Sequence, residues 1–166
     1  MPSSYTAPGL DKEAAAAVRE TLQERLVALI DLQLTIKHIH WNVVGRNFIS
    51  VHEMLDPQHA EVSAYVDAVA ERIATLGGEP LGTPGAVVER RSWDNYKLNR
   101  ALTHEHLQAL DSVYVGLIED HRKAIATCGD LDPVSEDLLL GQTNQLELFH
   151  WFVRAHLEDA AGHLDT

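Results

Sequence analysis

Four side chains between positions 52 and 71 have the types and the spacing of metal ligands. His52 and Asp56 are four residues apart, as are Asp67 and Glu71. The run HEMLD at 52–56 departs from the helical zinc motif H-E-x-x-H only at its last residue. At 100° per residue, Asp56, Asp67 and Glu71 lie about 40°, 60° and 100° round a helix from His52. All four therefore share one face, and the pattern predicts mixed imidazole and carboxylate ligation.

These side chains cannot all reach one metal ion within a single chain. Asp56 and Asp67 are about 16 Å apart along a helix axis, several times the length of a metal–ligand bond. We interpret the stripe as two half-sites, His52 with Asp56 and Asp67 with Glu71. A two-fold axis completes them by setting each pair against the other pair of an antiparallel partner helix. His40, near the end of the preceding helix, is expected to join the first half-site.

The ligand types limit the metal and the chemistry. Imidazole and carboxylate without thiolate suit iron, manganese or zinc, and the single cysteine, Cys128, excludes a thiolate cluster. A zinc hydrolase built on HEMLD would need a third ligand and an open water position, for which the chain offers no residue. The plainer interpretation of the stripe is a solvated face of a bundle helix. His59 falls near the same stripe, and an accessory ligand is one interpretation of it, with a surface or packing residue as the alternative.

Four long amphipathic helices are predicted to position these residues. Apolar side chains recur at helical spacing, and no segment reads as a strand. The predicted helices span about 12–43, 50–76, 96–128 and 132–163. Four long helices with one long central connection predict an all-α fold, a ferritin-like four-helix bundle with a short extra helix in the central crossover connection.

Capping residues mark where the helices begin. Ser50 with Glu53 predicts a capping box for the second helix, with Asn47 as a competing cap. Thr83, followed by proline, is expected to open the short crossover helix, and Asp132, also followed by proline, to open the last long one.

Size and charge limit the class of protein. A chain of 166 residues predicts one domain over 1–166, with a short non-basic N-terminal tail at 1–11. The formal charge of −12 argues against binding a phosphate backbone and favours cation accumulation. There is no signal-peptide pattern and no apolar run long enough to span a membrane. We expect a cytoplasmic protein, with nucleoid association as the alternative, and no membrane partner.

Two runs, KHIHWNVVGRNFISVHEMLD and DAVAERIATLGGEPLGTP, together with the ending HWFVRAHLE, resemble the Dps family. These are ferritin-like mini-ferritins, named as DNA-binding proteins from starved cells. The resemblance implies an intersubunit di-iron ferroxidase site, which zinc or manganese also fits. Its ligands would be His40, His52 and Asp56 of one subunit with Asp67 and Glu71 of a two-fold mate.

The same resemblance implies an activity and an assembly. Family members form hollow dodecamers built of two-fold dimers, oxidise Fe(II) preferentially with hydrogen peroxide, and store Fe(III) inside, which protects DNA and the cell from oxidative damage. Trp41, beside a ligand, resembles the family tryptophan that quenches radicals near the iron.

Two further sets of residues carry a functional and a structural interpretation. Asp132, Glu136 and Asp137 lie in the acidic run GDLDPVSED, which resembles the family's three-fold iron-entry pores; the alternative is helix capping. Glu147 and His150 form one E-x-x-H, whereas a bundle-internal di-iron centre uses two copies, so we interpret His150 as a packing or surface residue.

The sequence thus predicts a ferroxidase and iron-storage protein. The alternative is a nucleoid or DNA-binding protection protein with little iron chemistry. Family members that condense DNA use tails rich in lysine and arginine, and neither end of the printed chain is basic. DNA binding is therefore expected to be weak or absent.

Overall fold

The computed structural model of the chain describes residues 9–158 and 163. Within these residues it contains five helices and two short strands. In chain order they are α1 (Lys12–Asn42), β1 (Val43–Val44), α2 (Phe48–Thr75), α3 (Pro84–Arg90), β2 (Ala101–Leu102), α4 (Thr103–Gly129) and α5 (Pro133–Ala155).

The four long helices form a bundle around one apolar core. Helix α1 packs against α2 and α4, and α4 packs against α5. The leucine and isoleucine stripe of α1 is buried along its length, as its 3.6-residue spacing predicts, and Leu22, Leu29 and Ile36 are fully enclosed. The prediction of an all-α, ferritin-like bundle with a short crossover helix is confirmed.

The crossover between α2 and α4 differs from the prediction in one respect. Strands β1 and β2 pair in parallel, with Val43 opposite Ala101 and Val44 opposite Leu102, so the prediction that no strand forms was wrong. Each strand is two residues long, too short for a period-two pattern to be visible in the sequence. The pairing ties the crossover to the turn between α1 and α2.

Three predicted helix boundaries were wrong. The capping box of Ser50 and Glu53 is absent, because α2 begins at Phe48 after Asn47. Helix α4 begins at Thr103 rather than near Tyr96, since residues 96–102 are not helical and Ala101 pairs with Val43 in the short sheet. Helix α5 ends at Ala155 rather than near 163.

The predicted caps of the short and last helices were correct. The Thr83 hydroxyl accepts a hydrogen bond from Ala86 N–H, and the Asp132 carboxylate accepts one from Val134 N–H. The first part of the predicted tail, 1–8, lies outside the described residues. None of the helices described is long and apolar enough to cross a membrane.

Candidate metal centre

The tight turn between α1 and α2 brings His40 and His52 together. Gly45 has a φ of 98°, and a Cβ at that position would lie 2.9 Å from a Leu102 methyl carbon, so a side chain there would be strained. Asn47 also has a positive φ, 61°, a conformation that asparagine tolerates. The imidazole rings of His40 and His52 consequently stack, with centroids 3.6 Å apart.

A reciprocal pair of hydrogen bonds fixes both rings. His40 Nδ1–H donates to the carbonyl of His52 at 3.0 Å, and His52 Nδ1–H donates to the carbonyl of His40 at 2.8 Å. A carbonyl only accepts, so both Nδ1 atoms carry the proton and each Nε2 presents a lone pair. This is the arrangement of metal-binding imidazoles, in which the second nitrogen is tied by an outer hydrogen bond. Both rings are partly exposed.

Asp56 lies beside this pair and also contacts a residue that the sequence analysis did not single out. Its Oδ1 atom is 3.4 Å from His40 Nδ1 and accepts a hydrogen bond from Lys37 Nζ at 2.7 Å. The hydrogen bond from Lys37 lowers the pKa of Asp56, so the carboxylate stays ionised and ready to bind a cation. Lys37 precedes His40 by three residues, so the helical spacing alone placed it near this site.

Asp67 and Glu71 lie on the same helix as His52 but not at the same place. Helix α2 is continuous from Phe48 to Thr75, so the estimate of about 16 Å between Asp56 and Asp67 holds. Both acids are exposed. Among residues 9–158 and 163, no group of three or more His, Cys, Asp or Glu side chains is positioned to hold a metal ion. His40 stacks on His52, and Asp56 lies beside His40, but these three do not form a complete ligand group, and the other two acids lie apart.

Two neighbours of the site differ in exposure. Trp41, next to His40, is 72% exposed and turns away from the core. His59 is partly buried on α2, and burial, with the nearby Lys37 charge, lowers the pKa of its imidazole. A neutral imidazole is the form that binds a metal.

The three acids of the GDLDPVSED run have separate environments. Asp132 is 4% exposed, caps α5 and pairs with Arg72 at 2.6 Å, so its carboxylate is already engaged within the chain. Burial raises the pKa of Asp132, but the hydrogen bonds from Ser135 and Arg72 outweigh burial, so the pKa lies below its ordinary value. Glu136 is partly buried and Asp137 is exposed one turn into α5.

The single E-x-x-H segment is held in contacts between α4 and α5. Glu147 accepts a hydrogen bond from Arg122, and His150 Nε2 lies 2.7 Å from Asp111 Oδ1. These pairs explain both side chains without a metal, which supports the packing interpretation of His150.

The fold and the ligand types together define a ferritin-like protein. The family model described as "Ferritin-like domain" matches residues 19–162. The chain is also 56% identical over 162 residues to the DNA protection during starvation protein of Mycolicibacterium smegmatis, covering 98% of this chain and 88% of that protein.

Solved structures give the same result. A tetragonal form of Mycobacterium smegmatis Dps matches with a TM-score of 0.96 and 56% identity over 98% of each chain. DpsA14 from Streptomyces coelicolor matches with a TM-score of 0.97 and 55% identity over 100% of this chain and 99% of that one. The chain belongs to the Dps family of ferritin-like proteins.

Proposed function

We propose that the protein is a ferroxidase that oxidises Fe(II) at sites shared between two subunits and stores the Fe(III) product within a hollow homo-oligomer. The observation that carries this proposal is the stacked pair His40 and His52. Their Nδ1 protons are bound by carbonyls, and within residues 9–158 no hydrogen bond engages either Nε2 atom. The pair lies at the surface beside an ionised Asp56, and nitrogen and oxygen ligands of these types suit iron.

The half-site needs carboxylates from a second copy of the chain. Asp67 and Glu71 are exposed on the same helix, at a spacing that suits the antiparallel packing of two α2 helices. In such a dimer, Asp67 and Glu71 of the partner subunit would face His52. Each dimer would then contain two equivalent sites, and the same donor set would bind zinc or manganese in competition with iron.

The residues of the site would each perform a distinct task. The imidazoles bind Fe(II) through Nε2, and the Nδ1–H bonds hold the rings in place without reorganisation. The carboxylates neutralise the charge of the ferrous substrate and of the ferric product, which they bind more strongly. Two ferrous ions each give one electron to a peroxide molecule, which takes up two protons and leaves as two waters. Pairing the ions thereby avoids the one-electron step that produces hydroxyl radical.

Exposed apolar residues support the assembly. Leu34 and Trp41 on α1 and Ile49 on α2 are 58–72% exposed, and contiguous exposed apolar patches mark interaction surfaces. We propose a homo-oligomer of two-fold dimers, with the full shell being a dodecamer. Light scattering of the purified protein tests this, and a monomer at micromolar concentration would contradict it.

Glu136 and Asp137 are proposed to line the route by which ferrous iron enters the shell. Converging carboxylates concentrate cations, and these two are not used for capping, unlike Asp132. Replacing both by amides should slow iron uptake and leave assembly intact. Unchanged uptake kinetics would contradict the entry role.

Protection of DNA is part of the name of the Mycolicibacterium smegmatis relative, and we propose that here it operates through iron and peroxide removal rather than through tight binding. The formal charge of −12 opposes contact with a phosphate backbone. We expect no shift of duplex DNA in a gel at moderate salt and neutral pH. Retardation that weakens steeply with salt would favour the nucleoid-binding alternative.

We further propose that the protein acts in the cytoplasm, where such protection is needed, as one domain over 1–166. Imaging of the tagged chain in cells tests the location.

The experiment that tests the ferroxidase proposal measures Fe(II) loss in a stopped-flow instrument with peroxide and, separately, with air. We expect peroxide to be the much faster oxidant, because it accepts both electrons of a di-iron pair. Equal rates with both oxidants, or rates no higher than in buffer, would overturn the assignment.

A further inference from the structure

A cavity lies between α1 and α4, bordered by the segment 92–94 that follows α3. It encloses about 410 Å³, a volume within the range of roughly 300–1,000 Å³ that ligand sites in proteins have. The apolar part of its wall is formed by Ala28, Leu32, Trp93, Val113, Gly116 and Leu117. The cavity therefore suits a ligand with an apolar body.

One buried cation borders this cavity without full compensation of its charge. Arg25 lines the cavity and is only 5% exposed. Among residues 9–158, its Nη1 atom has no hydrogen-bond partner, and its Nη2 atom is 3.9 Å from Asp120 Oδ2, too far for a hydrogen bond. Burial lowers the pKa of Arg25, yet a guanidinium stays charged at neutral pH. Since buried charges are normally paired, an anion in the cavity would stabilise this group.

The two acids nearest to the guanidinium are already engaged by other groups. Asp120 accepts a hydrogen bond from Lys123 Nζ at 2.7 Å. Asp31 accepts one from the indole N–H of Trp93 at 2.8 Å and one from Arg91 Nη1 at 3.4 Å. Neither carboxylate is therefore free to neutralise the buried guanidinium.

The other charged side chains of this region are at its rim. Asp94 is exposed and lies 3.6 Å from Lys97 Nζ. A second cavity, of about 280 Å³, shares the guanidinium with the first and adds Glu24 and Arg90, which are exposed and of opposite sign. Water solvates these four groups, so the fully buried charge that lacks a partner is that of Arg25. The cavity thus has room for one negative charge.

Trp93 provides a fixed aromatic surface in the same cavity. Its hydrogen bond to Asp31 holds the indole in place, and the side chain remains 37% exposed. Aromatic rings pack favourably against an indole. Val113 and Leu117 of α4 add aliphatic surface. A planar aromatic body therefore complements this wall better than a sugar or a phosphate does.

The cavity is separate from the surface proposed for assembly and from the proposed iron site. Leu34 is two residues, about 200°, from Leu32 on α1 and so points to another side of the helix. Trp41 and Ile49 do not line the cavity, and neither do the proposed iron ligands. Occupancy of the cavity is consequently independent of iron chemistry.

We propose that this cavity binds a small aromatic carboxylate, with its carboxylate on the guanidinium of Arg25 and its ring against Trp93. Arginine pairs with a carboxylate through two parallel N–H···O bonds, which would engage the unpartnered Nη1 atom. A monoanion matches the single uncompensated charge. A phosphate or a nucleotide, with at least one further negative charge, would meet the carboxylates of Asp31 and Asp120 instead.

The test is a calorimetric titration of the assembled, metal-free full-length protein with 2-naphthoate. The matched ligand is 2-naphthamide, which has the same ring and a neutral head group. We expect one molecule of 2-naphthoate to bind per chain, and 2-naphthamide to bind about 10-fold more weakly or less, because hydrogen bonds between charged groups are stronger than those to a neutral group. No binding of 2-naphthoate at millimolar concentration would overturn the proposal, and equal affinities for the two ligands would overturn the role of Arg25.

A cavity-filling variant locates the binding without changing any charge. A Cβ added at Gly116 would meet no heavy atom within 4 Å, and the same is true of Gly141 on α5, which does not line the cavity. Gly116→Leu should weaken 2-naphthoate binding at least several-fold, whereas Gly141→Leu, the matched control, should bind like the parent. Light scattering establishes that both variants assemble. Unchanged affinity in Gly116→Leu would overturn the assignment of the ligand to this cavity.

A second variant tests the charge itself. Arg25→Met keeps a long side chain but removes the guanidinium, so it should lose the preference for 2-naphthoate over 2-naphthamide. Circular dichroism and light scattering check that it folds and assembles, and the Gly116→Leu result decides the location if it does not. A preference for 2-naphthoate that persists in folded Arg25→Met would contradict the proposed pairing.

Discussion

Two groups of histidines in this bundle use the same side chain in opposite environments. His40 and His52 are partly exposed at the turn between α1 and α2, with each Nδ1 tied to a carbonyl. His106 and His121 have no exposed surface, and the Nε2 of each lies in the core without a hydrogen-bond partner among residues 9–158. A ligand from solution reaches the first pair but not the second.

The comparison shows that accessibility, rather than residue type, separates a ligand from a structural histidine. His121 Nδ1–H donates to the carbonyl of Leu117 at 3.1 Å, the same kind of bond that orients His40 and His52. Burial, and secondarily the charge of Arg25, lowers the pKa of His121 to about 4. This imidazole therefore remains neutral inside the bundle. Its protonation would affect the stability of the fold and not the binding of a metal.

The largest effect is expected from removing a surface imidazole. His52→Ala should reduce peroxide-driven Fe(II) oxidation by more than about 100-fold, since losing an outer partner of a ligand already costs about 10–100-fold. His104→Ala, which removes an exposed histidine at the start of α4, is the matched control and should retain the parental rate. Similar rates in the two variants, measured by stopped flow, would contradict the role of His52 as a metal ligand.

The second effect concerns acid stability and involves the buried group. The folded-state pKa of His121 lies below the ordinary value of 6.5, so the unfolded chain binds the proton more readily. The contribution of His121 to the free energy of unfolding is complete above about pH 6.5. It decreases as the pH drops towards 4, by about 3 kcal/mol in all.

Urea unfolding at fixed protein concentration, repeated from pH 7 to pH 4, measures this change. His121→Leu should flatten the pH dependence of the free energy of unfolding over that range. His104→Leu, at an exposed position, should leave the pH dependence unchanged. If the free energy of unfolding of His121→Leu decreases with falling pH as steeply as that of the parent protein, the burial of His121 is not the cause of the acid sensitivity.

The smallest effect is expected from replacing Lys37, which contacts Asp56 beside the surface histidines. Lys37 occupies one oxygen of Asp56 and places a positive charge beside the proposed cation site. Lys37→Met should tighten Zn²⁺ binding a few-fold in a calorimetric titration and raise the pKa of Asp56 towards its ordinary value. Lys37→Arg should bind zinc like the parent. Weaker binding in Lys37→Met would mean that Lys37 orders the carboxylate rather than competing for it.

The helical bundle could be predicted because apolar residues recur at helical spacing over long segments of the chain. The apolar stripe of α1 and the Thr83 and Asp132 caps follow from local rules, and they appear as predicted. The start of α4 was not predictable in the same way. Residues 96–102 are not helical, and Ala101 pairs with Val43, which is 58 residues earlier in the chain. Such contacts between distant segments leave no local periodicity.

The stripe of candidate residues on α2 follows from helical spacing, whereas the contact between His40 and His52 does not. Helical geometry placed His52, Asp56, Asp67 and Glu71 on one face and indicated two half-sites. The stacking of His40 on His52 depends on the positive φ angles at Gly45 and Asn47, which spacing alone does not reveal.

The central claim is that each site draws ligands from two chains, and complementation between two inactive variants tests it most directly. His52→Ala removes a ligand from one half-site and Asp67→Ala removes one from the other. In a mixed dimer, one site carries both defects, while the other combines intact His52 with intact Asp67 of the partner subunit.

The measurement is peroxide-driven Fe(II) oxidation after the two variants are dissociated and reassembled together, with each reassembled alone as the control. Random pairing makes about half of the dimers mixed, so roughly a quarter of all sites should recover activity. Activity at the level of the separate controls, once mass spectrometry has shown that mixed dimers formed, would contradict the intersubunit site.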